Sequence, residues 1–224
     1  DALKNTVIYW ITGVILILAL GLLISGLLNY NRLRGKAFFK SATYLPNICA
    51  VIAMGIIFSM LFEKNTGLIN EVIFAMGGNK VDWLTGTRFS KIPVIALNVW
   101  RNTPWFTMIL LSGLLNISPE YYEAAKVDGA NAFQRFFKIT LPSLSNVMFF
   151  CFITLTADSW KIFNEPFMLQ GPGTSNVSLF QYMYESGFNV FKLGYASSIG
   201  CMLTLILLIV SVIQFIIRMK QGEV

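Results

Sequence analysis

Long apolar stretches separated by short polar ones run through the whole sequence. The first covers 6–28, and no charged residue falls between Lys4 and Arg32. At 1.5 Å per residue such a stretch is long enough to cross a hydrocarbon core about 30 Å thick. Comparable stretches cover 41–62, 92–115, 140–160 and 193–217. The pattern predicts an all-α membrane protein, a polytopic helical bundle forming one transmembrane domain over 1–224, with five spans visible. Pro46 lies one turn inside the second stretch and predicts a kink there. Gly13, Gly21, Ser25 and Gly26 are small residues at which a neighbouring helix can approach the first span closely.

The polar intervals orient the bundle. Arg32, Arg34, Lys36 and Lys40 follow the first span with no acid among them, which puts this loop on the cytoplasmic side. Arg218 and Lys220 after the last span belong to the same side, so Asp1 lies outside. The interval 63–91 is then external, with a short interfacial helix read from Gly67-Leu68-Ile69-Asn70 and Val72-Ile73-Phe74 and an interfacial anchor at Trp83. The interval 161–192 is external too and carries a turn cluster, Gly171-Pro172-Gly173-Thr174.

The third span departs from the pattern. Asn98, Arg101, Asn102 and Thr103 interrupt it. Polar residues inside a membrane are costly, so each is a candidate for function. Asn98, Arg101, Asn102 and Trp105 follow the i, i+3, i+4, i+7 spacing of one helical face, and Arg101 lies roughly 14 Å from the outer edge. Asp158 sits near the outer end of the fourth span, followed by Trp160 and Asn164. Together these seven residues offer donors, acceptors and a flat aromatic surface along a cavity. A neutral sugar suits such a site, because its hydroxyls need polar partners and its C–H face packs on rings. Structural alternatives stay open: Arg101 pairs with an acid such as Asp158, reaches a neighbouring subunit or snorkels outward, and Asp158 is simply the interfacial end of its helix.

The most distinctive stretch is polar and cytoplasmic, 118–142. Ser118-Pro119-Glu120 is a helix start, with a hydroxyl cap, Pro in the first position and an acid in the first turn. A short helix runs from Pro119 to about Val127, with Ala124 and Ala125 giving a flat, small face. Asp128-Gly129 stops it, since Gly tolerates the left-handed conformation that ends helices. A second helix restarts near Ala130 and runs until Pro142 interferes. The product is a helix–turn–helix elbow at the membrane surface.

The residues of this elbow carry a resemblance. Glu123-Ala124-Ala125, Gly129, Ile139 and Leu141-Pro142 stand at the spacing of the EAA signature of ABC-importer permeases. The fuller string EAAKVDGANAFQRFFKITLP is similar to the maltose-type carbohydrate permeases. The resemblance implies the type I permease fold with six spans, hence one further helix before Asp1. It implies an elbow that docks into a cleft on an ATP-hydrolysing subunit, with Glu123, Ala124, Ala125, Asp128, Gly129 and Ala130 as the coupling residues. It also implies a transport site at mid-membrane, built partly from the third and fourth spans. The partners implied are a second homologous permease, two ATP-binding subunits, an extracellular solute-binding protein, a carbohydrate substrate and membrane lipid. The setting implied is a bacterial or archaeal cell membrane. Permeases for amino acids, polyamines or phosphate share a looser form of the signature and are the alternative.

Composition narrows the classes. Hydrophobic residues make up 55% and charged residues 12%, about half the charge of a soluble domain. The net charge of +6 raises nucleic acid as a partner, but the basic residues cluster beside apolar spans, as topology requires. Cys49, Cys151 and Cys201 lie inside apolar stretches without disulfide or metal spacing, and there is no His. A membrane-embedded enzyme needs paired carboxylates, His or Cys clusters, or a Ser with its base, and none stands at a convincing spacing. No P-loop pattern occurs, so ATP falls to another chain. A purely structural membrane subunit does not account for the polar face of the third span. The sequence reads as a non-catalytic transport subunit with no cofactor and no metal, working by alternating access.

Overall fold

The computed structural model describes residues 1–30, 34–220 and 222. Arg32, counted above in the basic loop, lies outside them. Among the described residues no strand occurs. In chain order the helices are α1 (Ala2–Asn29), α2 (Lys36–Ile48), α3 (Val51–Leu61), α4 (Leu68–Ala75), α5 (Lys91–Leu115), α6 (Pro119–Val127), α7 (Ala132–Arg135), α8 (Leu141–Ser143), α9 (Ser145–Trp160), α10 (Asn164–Met168), α11 (Leu179–Tyr184) and α12 (Leu193–Lys220). Wide π turns at Phe136–Thr140 and Glu185–Asn189 follow α7 and α11.

Two of these helices, α1 and α12, are each long and apolar enough to cross a membrane. Both present large aliphatic side chains outward: Ile15 is 60% exposed, Leu27 62% and Leu205 60%. Such surfaces fit lipid and are intolerable in water. Two more membrane-length segments are broken. The second expected span is α2 plus α3, bent by 91°. The bend falls at Cys49 and Ala50, beyond Pro46, which stays inside α2. Pro46 has no N–H for the carbonyl one turn earlier, so α2 is weakened in its last turn and ends at Ile48. The fourth expected span is bent by 67°. Its first residues, Thr140 to Ser143, belong to the arm before the bend, and α9 begins only at Ser145. Pro142 again removes a helical donor, and the π turns before it have already widened the ladder. The third expected span is α5, 25 residues long. Asn98, Arg101, Asn102 and Thr103 keep it below the hydropathy of the others.

The chain divides into two compact units, and the boundary falls inside α1, α5 and α9. The first unit holds Asp1–Val14, Cys49–Arg101 and Leu155–Val224. Its core is Tyr9, Val94, Leu97, Ile162 and Leu169. Buried hydrogen bonds stitch the outer loop to α1: Asn5 Nδ2 donates to the Thr174 and Val177 carbonyls at 2.9 Å, the Leu179 N–H donates to Thr6 Oγ1 at 2.8 Å, and Tyr9 Oη donates to the Asn176 carbonyl at 2.7 Å. The Gly-Pro turn cluster therefore ends in a fixed loop, with Asn176 itself donating to the Leu169 carbonyl at 2.6 Å. Gly13 is a site of close approach: a Cβ there would lie 3.4 Å from Asn98 Nδ2 and 3.6 Å from Ser159 Oγ.

The second unit holds Ile15–Ile48 and Asn102–Thr154. Small residues again set its spacing. A Cβ on Gly21 would meet Leu110 Cδ1 at 3.1 Å, and one on Gly113 would meet Leu144 Cδ2 at 2.8 Å. Leu144 and Leu110 are fully buried. Gly26, the other small position of α1, has nothing within 4 Å.

The segment between α3 and α5 is organised by one side chain. Asn70, on the predicted interfacial helix α4, is fully buried. Its Nδ2 donates to the Lys64 and Val81 carbonyls at 2.9 and 2.8 Å, and its Oδ1 accepts from the Val81 N–H and Trp83 Nε1, both at 3.0 Å. Trp83, expected as an interfacial anchor, packs against Phe62 and Phe89. Replacing Asn70 with Ala leaves the Val81 amide and the Trp83 indole without their acceptor, a local cost of about 2–4 kcal/mol. Amide exchange at Val81 is expected to accelerate roughly a hundredfold, with α5 unaffected.

Two carboxylates brace the same segment. Glu63 accepts from the Asn65 and Thr66 amides and the Thr66 hydroxyl, and these bonds, led by the Thr66 amide, hold its pKa below the ordinary 4.5. Asp82 is held below 3.8, chiefly by the Thr85 hydroxyl and then by Lys64. A depressed folded pKa gives stability that is present above the unfolded value and lost as the pH falls through the folded one. Protection of the Thr66 and Thr85 amides, corrected for intrinsic exchange, is expected to hold above about pH 5 and to decline below about pH 4.

Candidate functional site: a capped elbow and a polar helix face

The elbow is built as two short rods with a defined hinge. Ser118 caps α6, its hydroxyl accepting the Glu120 N–H at 3.4 Å, and Pro119 occupies the first turn. At the other end Asp128 N–H donates to the Ala124 carbonyl at 3.0 Å and Gly129 N–H to the Lys126 carbonyl at 3.1 Å. The Ala130 N–H reaches back to the Ala125 carbonyl at 2.8 Å. That closure needs a left-handed residue, and Gly129 supplies it with φ +76°. No atom lies within 4 Å of where a Cβ on Gly129 would stand, so the demand on this position is conformational.

The second rod restarts at once. Asn131 Oδ1 accepts the Gln134 N–H at 2.8 Å while Gln134 Oε1 accepts the Asn131 N–H at 2.9 Å, a reciprocal capping box. The helix runs on through α7, the π turns and α8. The two rods are tied together by Tyr122 Oη and Thr140 Oγ1, 2.9 Å apart. Nothing in the sequence pattern singles out that pair, because its partners lie eighteen residues apart on separate rods.

Glu123, Ala124, Asp128 and Gly129 are exposed, and Ala125 and Ala130 are half-buried. Around them stand exposed apolar side chains, Val127 at 88% and Phe133 at 72%. A charged loop with bare valine and phenylalanine at its hinge has the make-up of a protein-docking surface: small residues for close approach, apolar anchors and a carboxylate for a basic partner.

The polar face of α5 is graded. Asn98, the first of these residues in chain order, is buried beside Gly13. Arg101 and Asn102 are half-buried, and Trp105 is exposed. Trp105 lines a cavity of about 660 Å³ together with Lys40, Ser41, Tyr44, Met108 and Ser112.

The acid beside Arg101 is Glu165 of α10, with Nη1 and Oε1 3.2 Å apart. Asp158, the partner considered from sequence, is exposed and faces Lys161 at 3.6 Å. Glu165 escaped the sequence reading because it stands in a stretch assigned to an outer loop, and no periodic signal links it to Arg101. Trp160, expected to line a cavity, is instead enclosed: it is 3% exposed and its ring packs on Trp10 at 5.9 Å. Alternation around α9 turns Asp158 outward and Ser159 and Trp160 inward. Asn164 is exposed at the start of α10.

The family model for the binding-protein-dependent transport system inner membrane component matches residues 17–221. Curated relatives include the arabinooligosaccharides transport system permease protein AraP of Halalkalibacterium halodurans, 30% identical over 99% of this chain and 72% of that protein. They also include the lactose transport system permease protein LacF of Rhizobium radiobacter, 31% identical over 96% and 74%. A third is the trehalose/maltose transport system permease protein MalF of Thermococcus litoralis, 33% identical over 97% and 72%. Among solved structures, a chain of a bacterial ABC transporter involved in import of the acidic polysaccharide alginate superimposes with a TM-score of 0.85 at 20% identity, covering 98% of this chain and 78% of that one. A chain of the MetNI methionine ABC transporter, inward facing, gives 0.62 at 18% identity, covering 100% and 94%. This chain belongs to the family of inner membrane components of binding-protein-dependent transport systems: it is a multi-pass permease subunit with the helical fold of ABC importers.

Proposed function

We propose that this permease carries a neutral sugar or oligosaccharide inward, forming the pathway together with a second homologous permease. A solute-binding protein delivers the substrate outside, and ATP is hydrolysed on two partner subunits. The observation that carries the reading is the exposed elbow, capped at both ends, with Glu123 and Gly129 at its hinge. The ATPase cleft closes on α6, and the rods pass that movement to α5 and α9. Relatives named for arabinooligosaccharides, lactose and trehalose/maltose support carbohydrate over the amino acid, polyamine and phosphate alternatives. The cavity beside Trp105 is lined mostly by apolar groups, Ile48, Met108 and Ile109 among them, to which Tyr44, Ser41 and Ser112 add a ring and hydroxyls.

Glu123, Ala124, Ala125, Asp128, Gly129 and Ala130 are the coupling residues of this reading. Asn98, Arg101, Asn102 and Trp105 form its pathway face. Asp158 and Asn164 are exposed at the outer end.

Two measurements test it. In the complex purified from native membranes and reconstituted, Glu123→Ala is expected to lower sugar-stimulated ATP hydrolysis at least about tenfold, the scale of one lost charge-assisted contact. Unchanged stimulation in an intact complex would rule out the elbow as the coupling site. Gly129→Val places a β-branched residue at φ +76°, costing about 1–2 kcal/mol. Exchange of the Ala130 amide is expected to rise about tenfold and coupling to weaken in step, while membrane insertion is retained.

A further inference from the structure

We propose that Glu165 is a positioning residue that sets the charge selectivity of the transport pathway by holding and neutralising Arg101. The inference rests on the reading of α5 as a pathway helix. It concerns a residue that touches Arg101 rather than the solute.

Glu165 is 4% exposed, and its Oε1 stands 3.2 Å from Arg101 Nη1. Its place on α10 is fixed from several directions. Met168 packs so closely on α3 that a Cβ at Gly55 would fall 2.6 Å from Met168 Cβ. Phe163 stacks on Phe167 at 5.1 Å and meets Tyr184 at 5.0 Å, and Leu169 is in the core. Ser178 Oγ donates to the Ile162 carbonyl at 2.6 Å, holding the start of the segment. The carboxylate is thus presented to Arg101 by a rigid frame.

Arg101 stands on α5, the helix read above as part of the pathway. A lone guanidinium in a poorly hydrated path attracts anions strongly. A fixed carboxylate beside it cancels that charge and orients the planar fork, leaving a site that works through hydrogen bonds. Neutral hydroxyls gain from such a site, whereas an anionic sugar would have to compete with Glu165 for its counter-ion. Asp158, the acid considered from sequence, is exposed and stands 3.6 Å from Lys161.

The test uses the complete importer in proteoliposomes with its solute-binding protein. Neutral tri- and tetrasaccharides are assayed for uptake, and a galacturonate trimer is supplied on the cytoplasmic face to bypass the binding protein. Wild type is expected to take up a neutral oligosaccharide and to ignore the trimer. Glu165→Gln is expected to raise KM for the neutral sugar about tenfold with kcat within about twofold, and to become inhibited by the trimer. Arg101→Gln/Glu165→Gln, which carries neither charge, is expected to lose that inhibition while KM for the neutral sugar stays raised, since the guanidinium donors are gone. Glu165→Asp keeps the charge at shorter reach and is expected to fall between wild type and Glu165→Gln, which keeps the test decisive if Glu165→Gln fails to assemble. Variants that lose thermal stability with no change in KM or in trimer inhibition would make the pair purely structural and overturn the proposal. Strong inhibition of wild type by the cytoplasmic trimer, equal to that of Glu165→Gln, would overturn it and spare carbohydrate transport. An importer active on another solute and inert to every sugar would remove both.

Discussion

Polar groups placed inside an apolar chain must find their partners within that chain, and this requirement organises the permease more than apolar contact does. Lipid tails are as apolar as leucine, so burial alone does not tell one helix which neighbour to choose. Hydrogen bonds do. Thr156 Oγ1 accepts from Trp10 Nε1 at 3.1 Å and from Gln214 Nε2 at 2.9 Å, so one hydroxyl on α9 gathers α1 and α12. Asn5, Thr6 and Tyr9 each bind the loop before α11. Asn70 closes the segment after α3. Where the helices must come nearest, glycine removes the side chain, as at Gly13, Gly21 and Gly113.

The elbow obeys the same rule with backbone groups. A short helix at a membrane surface has its end amides and carbonyls unsatisfied unless the sequence supplies caps. Here Ser118, the Gly129 closure and the Asn131–Gln134 box supply them within about twenty residues of chain. The two rods therefore hold their shape without a partner, and Tyr122 with Thr140 fixes one against the other. Capping gives the elbow stiffness while leaving Glu123, Val127 and Phe133 exposed on its surface.

Much of this was legible in the sequence, for local reasons. Caps, turn glycines and apolar runs act over a few residues, so α1, α5, α6 and α12 and the hinge at Gly129 follow from spacing alone. The family signature in the elbow is equally local. What escaped was decided across the fold. The bend in the second expected span came at Cys49 and Ala50 rather than at Pro46, since proline weakens a helix end without fixing where the chain turns. Trp160 reads as a wall residue until Trp10 is seen to cover it. Glu165 reads as an outer-loop acid until α10 folds inward and brings it to Arg101. Pairing between residues 64 positions apart leaves no periodicity to detect.

The third span shows why misfit to a pattern is informative. By length α5 is a full membrane helix, yet its central turns carry Asn98, Arg101, Asn102 and Thr103. Each would cost stability if it faced lipid. Asn98 and Thr103 are enclosed, and the Arg101 guanidinium meets the buried carboxylate of Glu165. A buried ion pair is seldom the most stable filling for its volume. A helix needed only for anchoring would place leucines there, as α1 and α12 do. Retaining the pair gives up packing that leucines would supply, and it sets α5 apart from α1 and α12.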